Sequence, residues 1–190
     1  MPANLSIPVK AIRTAAGRRD VVEQMTAFYE RADQLIAGQP ATCWNKGECC
    51  RFGQFGHRLY VTSLEVAYYL NCESHIDGDD SLPWPRGLKP AALQGGMTVN
   101  HDMADRNRTP LPILPSVTED ACPHAYDGMC HVRGHRPLGC RIFYCDPAAQ
   151  HWQGPLTEEL LAELRDMHVE LHVPYVYADW MTVLRALDAH

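Results

Sequence analysis

The 190-residue sequence has no run near the roughly 18 consecutive apolar residues of a membrane-spanning helix. It also lacks an excess of positive charge, since its formal net charge is −6 at pH 7. Proteins that bind nucleic acid usually present a net basic face. We therefore expect neither a membrane nor a nucleic acid among the partners of this protein.

Three further signals are missing. The opening residues, M-P-A-N-L-S-I-P-V-K, have no uninterrupted apolar core of the secretory kind, so we expect a cytosolic protein. No internal repeat is visible. No G-x-G-x-x-G follows a predicted strand, and Gly95-Gly96 is too weak a match for a Rossmann-type nucleotide site. The length suits one domain over residues 1–190 with its own core.

Cysteine, in contrast, is abundant, and seven of the eight cysteines lie in two segments. The N-terminal cysteine segment, residues 43–50, reads C-W-N-K-G-E-C-C, and the C-terminal cysteine segment covers residues 122–145. About 70 residues separate the two, so a shared site requires distant parts of the chain to fold together. The candidate ligands are Cys43, Cys49, Cys50, Cys122, Cys130, Cys140 and Cys145.

In the cytosol, glutathione and thioredoxin keep most thiols reduced, which disfavours four disulfides. The same pattern is then typical of metal binding, because thiolates are preferred ligands of zinc and of iron–sulfur clusters. We predict a cysteine-ligated metal centre, and free structural or redox thiols remain the alternative. The spacings match neither zinc fingers nor the compact bacterial ferredoxin pattern.

Seven thiols exceed the four ligands of one tetrahedral zinc ion, so they allow one four-iron cluster with thiols to spare, or two metal sites. The adjacent Cys49 and Cys50 need a turn to reach one ion, because successive side chains of an extended chain point oppositely. A four-iron cluster, whose thiolates approach separate corners, is less demanding. We rank Cys43, Cys50, Cys130 and Cys140 above the other three candidates.

These motifs resemble the CxxCxxCC cysteine-cluster family, described as zinc- or iron-chelating domains. The resemblance rests on Gly47 to Cys50 and on a downstream pattern, with support from the C-terminal Leu171 to Tyr177 and Trp180. The matching downstream residues are Cys122-Pro123, Cys130, Val132, Arg136-Pro137, Cys140-Arg141 and Phe143. The resemblance implies a zinc site or an iron–sulfur centre, for which we prefer a 4Fe–4S cluster. Some relatives are flagellin lysine methylases, but the resemblance does not transfer that activity.

One position departs from the family pattern. Lys46 stands where the family's second cysteine is expected, and an ammonium group cannot ligate a metal. Cys145, outside the family's minimal pattern, is a candidate replacement. Nearby cations should stabilise thiolate charge; Lys46, Arg133, Arg136 and Arg141 lie in the two segments, and Arg51 directly follows the first.

The rest of the chain predicts a mainly α protein with short β segments and long loops, stapled by the metal centre. We expect a helix over about 18–37, a strand from His57 to Val61, and a second helix opened by a Thr62–Glu65 capping box. Residues 75–120 are loop-rich. C-terminal helices should occupy 156–188, the first from Pro155 to His172 and the last capped by Asp179.

Three functions are compatible with this pattern: a binding protein with a structural, redox or metal-handling centre, a metal-dependent modifying enzyme or oxidoreductase with a protein or small-molecule substrate, and a thiol redox sensor. Candidate proton carriers for an enzyme are His124, His131 and His135. Cys72 falls in a helical pattern and is expected to be a packed thiol. His168 and His172, one helical turn apart, are expected at the edge of an apolar stripe rather than as ligands.

Overall fold

The computed structural model describes residues 7–43, 47–76, 121–126, 129–130 and 132–188. The predictions for Lys46, for His131 and for most of the loop over 75–120 fall outside these residues; the backbone of 75–76 is the end of a helix. In the part of the chain that is described, no helix combines the length and apolar character needed to cross a membrane.

The described chain is mainly helical, with two small antiparallel sheets of two strands each. The helices are α1 (Val9–Ala16), α2 (Arg19–Ala37), α3 (Phe52–Phe55), α4 (Ser63–Ile76), α5 (Leu138–Ile142), α6 (Gln150–Glu170) and α7 (Trp180–Asp188). The strands are β1 (Tyr60–Thr62), β2 (Ala125–Tyr126), β3 (Met129–Cys130) and β4 (Tyr177–Asp179). The predicted mainly α class is confirmed.

Helix α2 matches the predicted helix over 18–37, and its apolar stripe is buried, including Val21, Met25 and Ala32. Helix α1 was not predicted, because eight residues carry too little periodicity to be recognised. It nevertheless buries Val9, Ile12 and Ala15 at one-face spacing. Both helices pack on α4, which therefore lies at the centre of the fold.

Two predicted boundaries were wrong. The strand expected over His57 to Val61 is shorter and lies at Tyr60–Thr62. The helix expected from Pro155 to His172 is α6, which begins five residues earlier and contains Pro155 in its interior. Burial of Ala149 and Trp152 against the core stabilises this early start despite the proline.

The capping box at the start of α4 is confirmed. The backbone N–H of Thr62 donates to Glu65 Oε2 over 2.7 Å, and the N–H of Glu65 donates to Thr62 Oγ1 over 3.3 Å. Glu65 also accepts a 2.7 Å hydrogen bond from the N–H of Leu138, the first residue of α5. One buried carboxylate thus joins the N-termini of α4 and α5.

The C-terminal part of the chain returns to the centre through β4, which pairs with β1 in the register Tyr60↔Asp179. The N–H of Trp180 donates to the carbonyl of Leu59 over 2.8 Å. Asp179 caps α7 as predicted, because its Oδ1 accepts the N–H of Thr182 over 3.0 Å. The buried Trp180 is thereby fixed beside α4.

Candidate metal centre

The two cysteine segments lie side by side. The N-terminal segment ends in a short 3-10 turn, Glu48–Cys50, that starts at Gly47 with φ of 68°, a left-handed conformation suited to glycine. The N–H of Cys122 donates to the carbonyl of Cys50 over 2.8 Å, which ties the second segment to this turn. The predicted meeting of the two distant segments is therefore present in the fold.

Three further thiols lie near Cys50. Its Sγ lies 3.9 Å from that of Cys49, and the thiols of Cys122 and Cys130 are close enough to shift the pKa of Cys50. The turn expected for the adjacent pair is present, since both side chains reach the same group. Cys122 lies just before β2 and Cys130 at the end of β3; these two strands pair antiparallel, and we call this part of the chain the hairpin.

Hydrogen bonding divides these thiols into donor and acceptors. Interaction with the neighbouring sulfurs of Cys122, Cys130 and Cys49 favours the protonated form of Cys50 and raises its pKa far above the ordinary value of a thiol. The same interaction lowers the pKa of Cys49 to about 6 and that of Cys130 to about 6. It lowers the pKa of Cys122 as well, helped by the indole N–H of Trp180.

Cys140, on α5, is the fifth member of the group. Burial raises the pKa of its thiol, and the charges of Cys122, Cys130 and Cys49 raise it further. We call Cys49, Cys50, Cys122, Cys130 and Cys140 the five-thiol group. Its members come from the 3-10 turn, from the hairpin and from α5, so its assembly requires all three to be in place.

The remaining three cysteines are placed differently. Cys43 and Cys145 are exposed, and they adjoin a separate contact in which the N–H of Thr42 donates to Asp146 Oδ2 over 3.0 Å. Cys72 is buried in α4, as expected of a packed thiol, and burial raises its pKa to about 11. The seven candidates therefore divide into five clustered thiols and two exposed ones.

The cations of the two segments also divide. Arg136 is the cation that lowers the pKa of three thiols, Cys49, Cys130 and Cys140, and Arg133 acts on Cys130. Arg141, in contrast, is buried, and its guanidinium makes structural contacts with groups other than the thiols. It donates to Asp33 Oδ2 over 2.6 Å and to the carbonyls of Arg136 and Gly134, and its guanidinium lies 4.1 Å from the ring centroid of Tyr29.

A row of polar side chains borders the five-thiol group on the side of α4. Tyr69 Oη lies 3.0 Å from His124 Nε2, and His135 Nε2 lies 2.7 Å from Glu73 Oε1. Burial lowers the pKa of His124. The sequence indicated the two histidines but not their partners. Tyr69 and Glu73 are four residues apart on one helix. This spacing places them on the same helix face, and it is the feature of the sequence that could have indicated their joint role.

His168 and His172 do not act as a pair. His168 is buried, with the N–H of Leu64 directed at its Nε2 and the carbonyl of Val173 at its Nδ1. His172 is exposed and follows the end of α6 with φ of 52°. Neither lies at the edge of the apolar stripe as expected, since His168 is inside the core and His172 is exposed.

The donor chemistry of the five-thiol group is that of an iron–sulfur cluster: several sulfurs, one guanidinium acting on three of them, and a buried guanidinium nitrogen, Arg136 Nε, that meets no acceptor among the described residues. The arrangement is not that of a preformed mononuclear site. Within the described residues, no three His, Cys, Asp or Glu side chains form a group that could hold a metal ion.

No protein-family model matches the sequence, and no curated protein or solved structure matches it either. The resemblance to the CxxCxxCC cysteine-cluster family therefore stays a prediction that rests on the motifs themselves.

Proposed function

We propose that this protein binds a metal centre through the five-thiol group, that the centre is a 4Fe–4S cluster, and that it serves a structural, redox or metal-handling role. The single observation that carries the proposal is the convergence on Cys50 of thiols from two segments about 70 residues apart. A 4Fe–4S cluster and a zinc ion each take four thiolates, so the group holds one thiol more than either needs. The adjacent Cys49 and Cys50 favour the cluster, because its thiolates approach separate corners.

Each part of the chain has a distinct role in this proposal. Four of the five thiols, Cys49, Cys50, Cys122, Cys130 and Cys140, would supply the thiolate ligands, and the fifth would stay beside the centre as a free thiol. Arg136 offsets negative charge, and the indole N–H of Trp180 orients Cys122. When bound, an iron–sulfur cluster supplies one-electron redox chemistry or simple cross-linking of the segments. Membership of the CxxCxxCC family belongs to the same proposal.

Anaerobic purification followed by analysis of iron, sulfide and zinc tests the proposal. We expect iron and acid-labile sulfide in equal amounts, with the broad visible absorption of thiolate–iron charge transfer. Stoichiometric zinc without iron would instead establish the alternative, a structural zinc protein. A chain that binds neither metal after anaerobic reconstitution would refute the metal centre.

Single substitutions identify the ligands. Cys130→Ser and Cys140→Ser should lose most of the bound metal, because each removes a thiol of the group. Cys72→Ser is the matched control, since that thiol is buried in α4 away from the group, and it should retain metal. Cys43→Ser and Cys145→Ser decide whether the two exposed thiols take part. Loss of metal in Cys72→Ser together with retention in Cys140→Ser would overturn the assignment.

A second candidate function is a metal-dependent modifying enzyme or oxidoreductase. The observation that favours it is the pair of contacts beside Cys122, Tyr69 with His124 and Glu73 with His135, which could carry protons to or from a centre. Tyr69→Phe removes the hydroxyl and leaves the ring packed. If the protein is an enzyme, Tyr69→Phe should slow the reoxidation of the reduced centre by an added oxidant without changing the metal content. An unchanged reoxidation rate would argue for the binding role.

A further inference from the structure

Arg136 contains a buried donor that nothing in the described structure uses. Its Nε is shielded from solvent and has no hydrogen-bond partner among the described residues. A buried donor without an acceptor is unfavourable, and native proteins rarely keep one without a functional reason. The guanidinium is permanently charged, so loss of a proton cannot relieve this cost.

Hydrogen bonds fix the backbone of Arg136 just before α5, the helix that carries Cys140. Its carbonyl accepts the Nε–H of Arg141 over 2.9 Å, and Arg141 is itself anchored to Asp33 and to the carbonyl of Gly134. Pro137 follows as the N-cap of α5 with φ of −60°, so the backbone at this point has little freedom. Arg136 therefore lies one helical turn before Cys140, and its charge acts on Cys49, Cys130 and Cys140.

The neighbouring arginines, Arg141 and Arg51, are not placed to act on the thiols as Arg136 is. Arg141 uses its guanidinium on Asp33, on two carbonyls and on the ring of Tyr29. Arg51 directly follows Cys50 in sequence but is exposed to solvent. A thiolate centre carries net negative charge, and hydrogen bonds to its sulfurs together with nearby charge are the means by which proteins tune such centres.

We propose that Arg136 is the positioning residue of the metal centre: its buried Nε–H donates to a sulfur of the centre, and its charge sets how firmly the centre is held and at what potential it is reduced. This inference rests on the proposed metal-binding function and deepens it. It also assigns a purpose to the orphaned nitrogen, which acquires an acceptor only when the sulfurs beside it are anionic ligands.

The test compares Arg136→Gln and Arg136→Lys with the wild-type protein and with Arg51→Gln as the matched arginine control. Each protein is reconstituted anaerobically, its metal content is counted, and the release of metal to an excess of chelator is followed over time. Release from Arg136→Gln should be about 10–100-fold faster, the usual effect of losing a residue that supports metal ligands. Arg136→Lys should also release metal faster, because lysine keeps the charge but lacks the fixed planar Nε–H.

The redox readout separates this role from a merely structural one. Removal of the positive charge in Arg136→Gln should lower the reduction potential, since a cation favours the electron-rich state, whereas Arg51→Gln should leave it unchanged. A wild-type release rate in either Arg136 variant overturns the inference, so Arg136→Lys decides the matter if Arg136→Gln does not fold. Absence of metal from the wild-type protein refutes the metal centre itself, which is a different result from a metal-bound wild type with unaffected variants.

Discussion

Individual thiols of the site differ in acidity, although all are cysteines within one small region. Cys50 retains its proton and lowers the pKa values of its neighbours by hydrogen bonding, while Cys140 and Cys72 are made less acidic by burial. The thiolate is both the nucleophile and the metal ligand. The thiols that ionise most readily should therefore be the first to react and the first to bind metal.

Alkylation of the reduced, metal-free chain tests this order. At pH 7 iodoacetamide should modify Cys49 and Cys130 at least about tenfold faster than Cys72, because a pKa near 6 leaves most of a thiol ionised whereas a pKa near 11 leaves almost none. The rates at Cys49 and Cys130 should fall as the pH is lowered through about 6. Peptide mass spectrometry measures each site, and faster labelling of Cys72 would contradict the assigned acidities.

A second effect at the scale of one residue concerns the end of α6. The N–H of His172 donates to the carbonyl of Val169, and the N–H of Val173 donates to that of His168, which is the Schellman arrangement. His172 occupies its left-handed position, with φ of 52°, where glycine is usual. The backbone of a histidine is strained in this conformation, and the contact of its Nδ1 with the carbonyl of Val169, 2.9 Å away and exposed to solvent, offsets only part of that cost.

We expect His172→Gly to stabilise the protein by up to about 1 kcal/mol, since glycine adopts this conformation without strain. His151→Gly is the control, because His151 is exposed within α6 and the change should destabilise by roughly 0.5–1 kcal/mol. Urea denaturation of the two variants gives both values. Equal destabilisation by the two substitutions would mean that the backbone at 172 is not strained.

Among the elements, the decisive junction is the one between α4 and α5. Glu65 Oε2 accepts a hydrogen bond from the N–H of Thr62, and Oε1 accepts one from the N–H of Leu138. Tyr29 Oη lies 3.5 Å from Oε1. Burial raises the pKa of Glu65, although its hydrogen bonds act in the opposite direction. Since α5 carries Cys140, this carboxylate also fixes the position of a candidate ligand.

Replacing Glu65 with glutamine should destabilise the protein by about 1–3 kcal/mol, because the amide nitrogen cannot accept one of the two backbone N–H groups. The pKa of Glu65 is higher in the folded protein than in the unfolded chain, so its contribution is complete below the unfolded value and declines as the pH rises through the folded one. The difference between wild type and Glu65→Gln in urea should therefore shrink with rising pH. A difference that grows with pH would show that the folded pKa is lowered instead.

The sequence allowed part of this junction to be predicted. Thr62 and Glu65 are three residues apart and form a capping box, which the spacing of the two residues predicts without any other information. The hydrogen bond from Leu138 to Glu65 spans 73 residues, and no local pattern encodes it. For the same reason Pro155 was mistaken for the start of α6: local propensity indicated a boundary, whereas burial of Trp152 extends the helix through it.

At the scale of the whole molecule, the helical core and the candidate site depend on different interactions. Helices α1, α2 and α4 pack through buried apolar side chains such as Ile12, Met25 and Leu64. This packing requires no ligand. The 3-10 turn and the hairpin have few apolar residues of their own. Their order should depend much more on the thiols that join them.

Metal removal should therefore loosen the site while leaving the core folded. Chelation is expected to lower the melting temperature and to increase hydrogen exchange at 47–55 and 122–143, with little loss of helical circular dichroism. Maleimide should then label the released thiols. An equal melting temperature and equal thiol protection with and without metal would show that the centre and the fold are uncoupled.

The candidate site could be anticipated only in outline. Clustering in sequence marked the seven cysteines, and exclusion of Cys72 followed from its helical surroundings. Separation of the exposed Cys43 and Cys145 from the five-thiol group could not be read from spacing, because it depends on how the turn, the hairpin and α5 lie in three dimensions. The distinct roles of Arg136 and Arg141 were hidden for the same reason.

The wide separation of the two cysteine segments has a consequence for biosynthesis. A ribosome adds about 5–20 residues per second, so Cys140 leaves it several seconds or more after Cys49 and Cys50. During that interval the nascent chain presents an adjacent thiol pair that has no partners from the later segment. Strand β4, which completes the sheet with β1, emerges later still. If the proposed metal centre forms, metal would be delivered only after Cys140 has been made, and the early thiols would have to stay reduced until then.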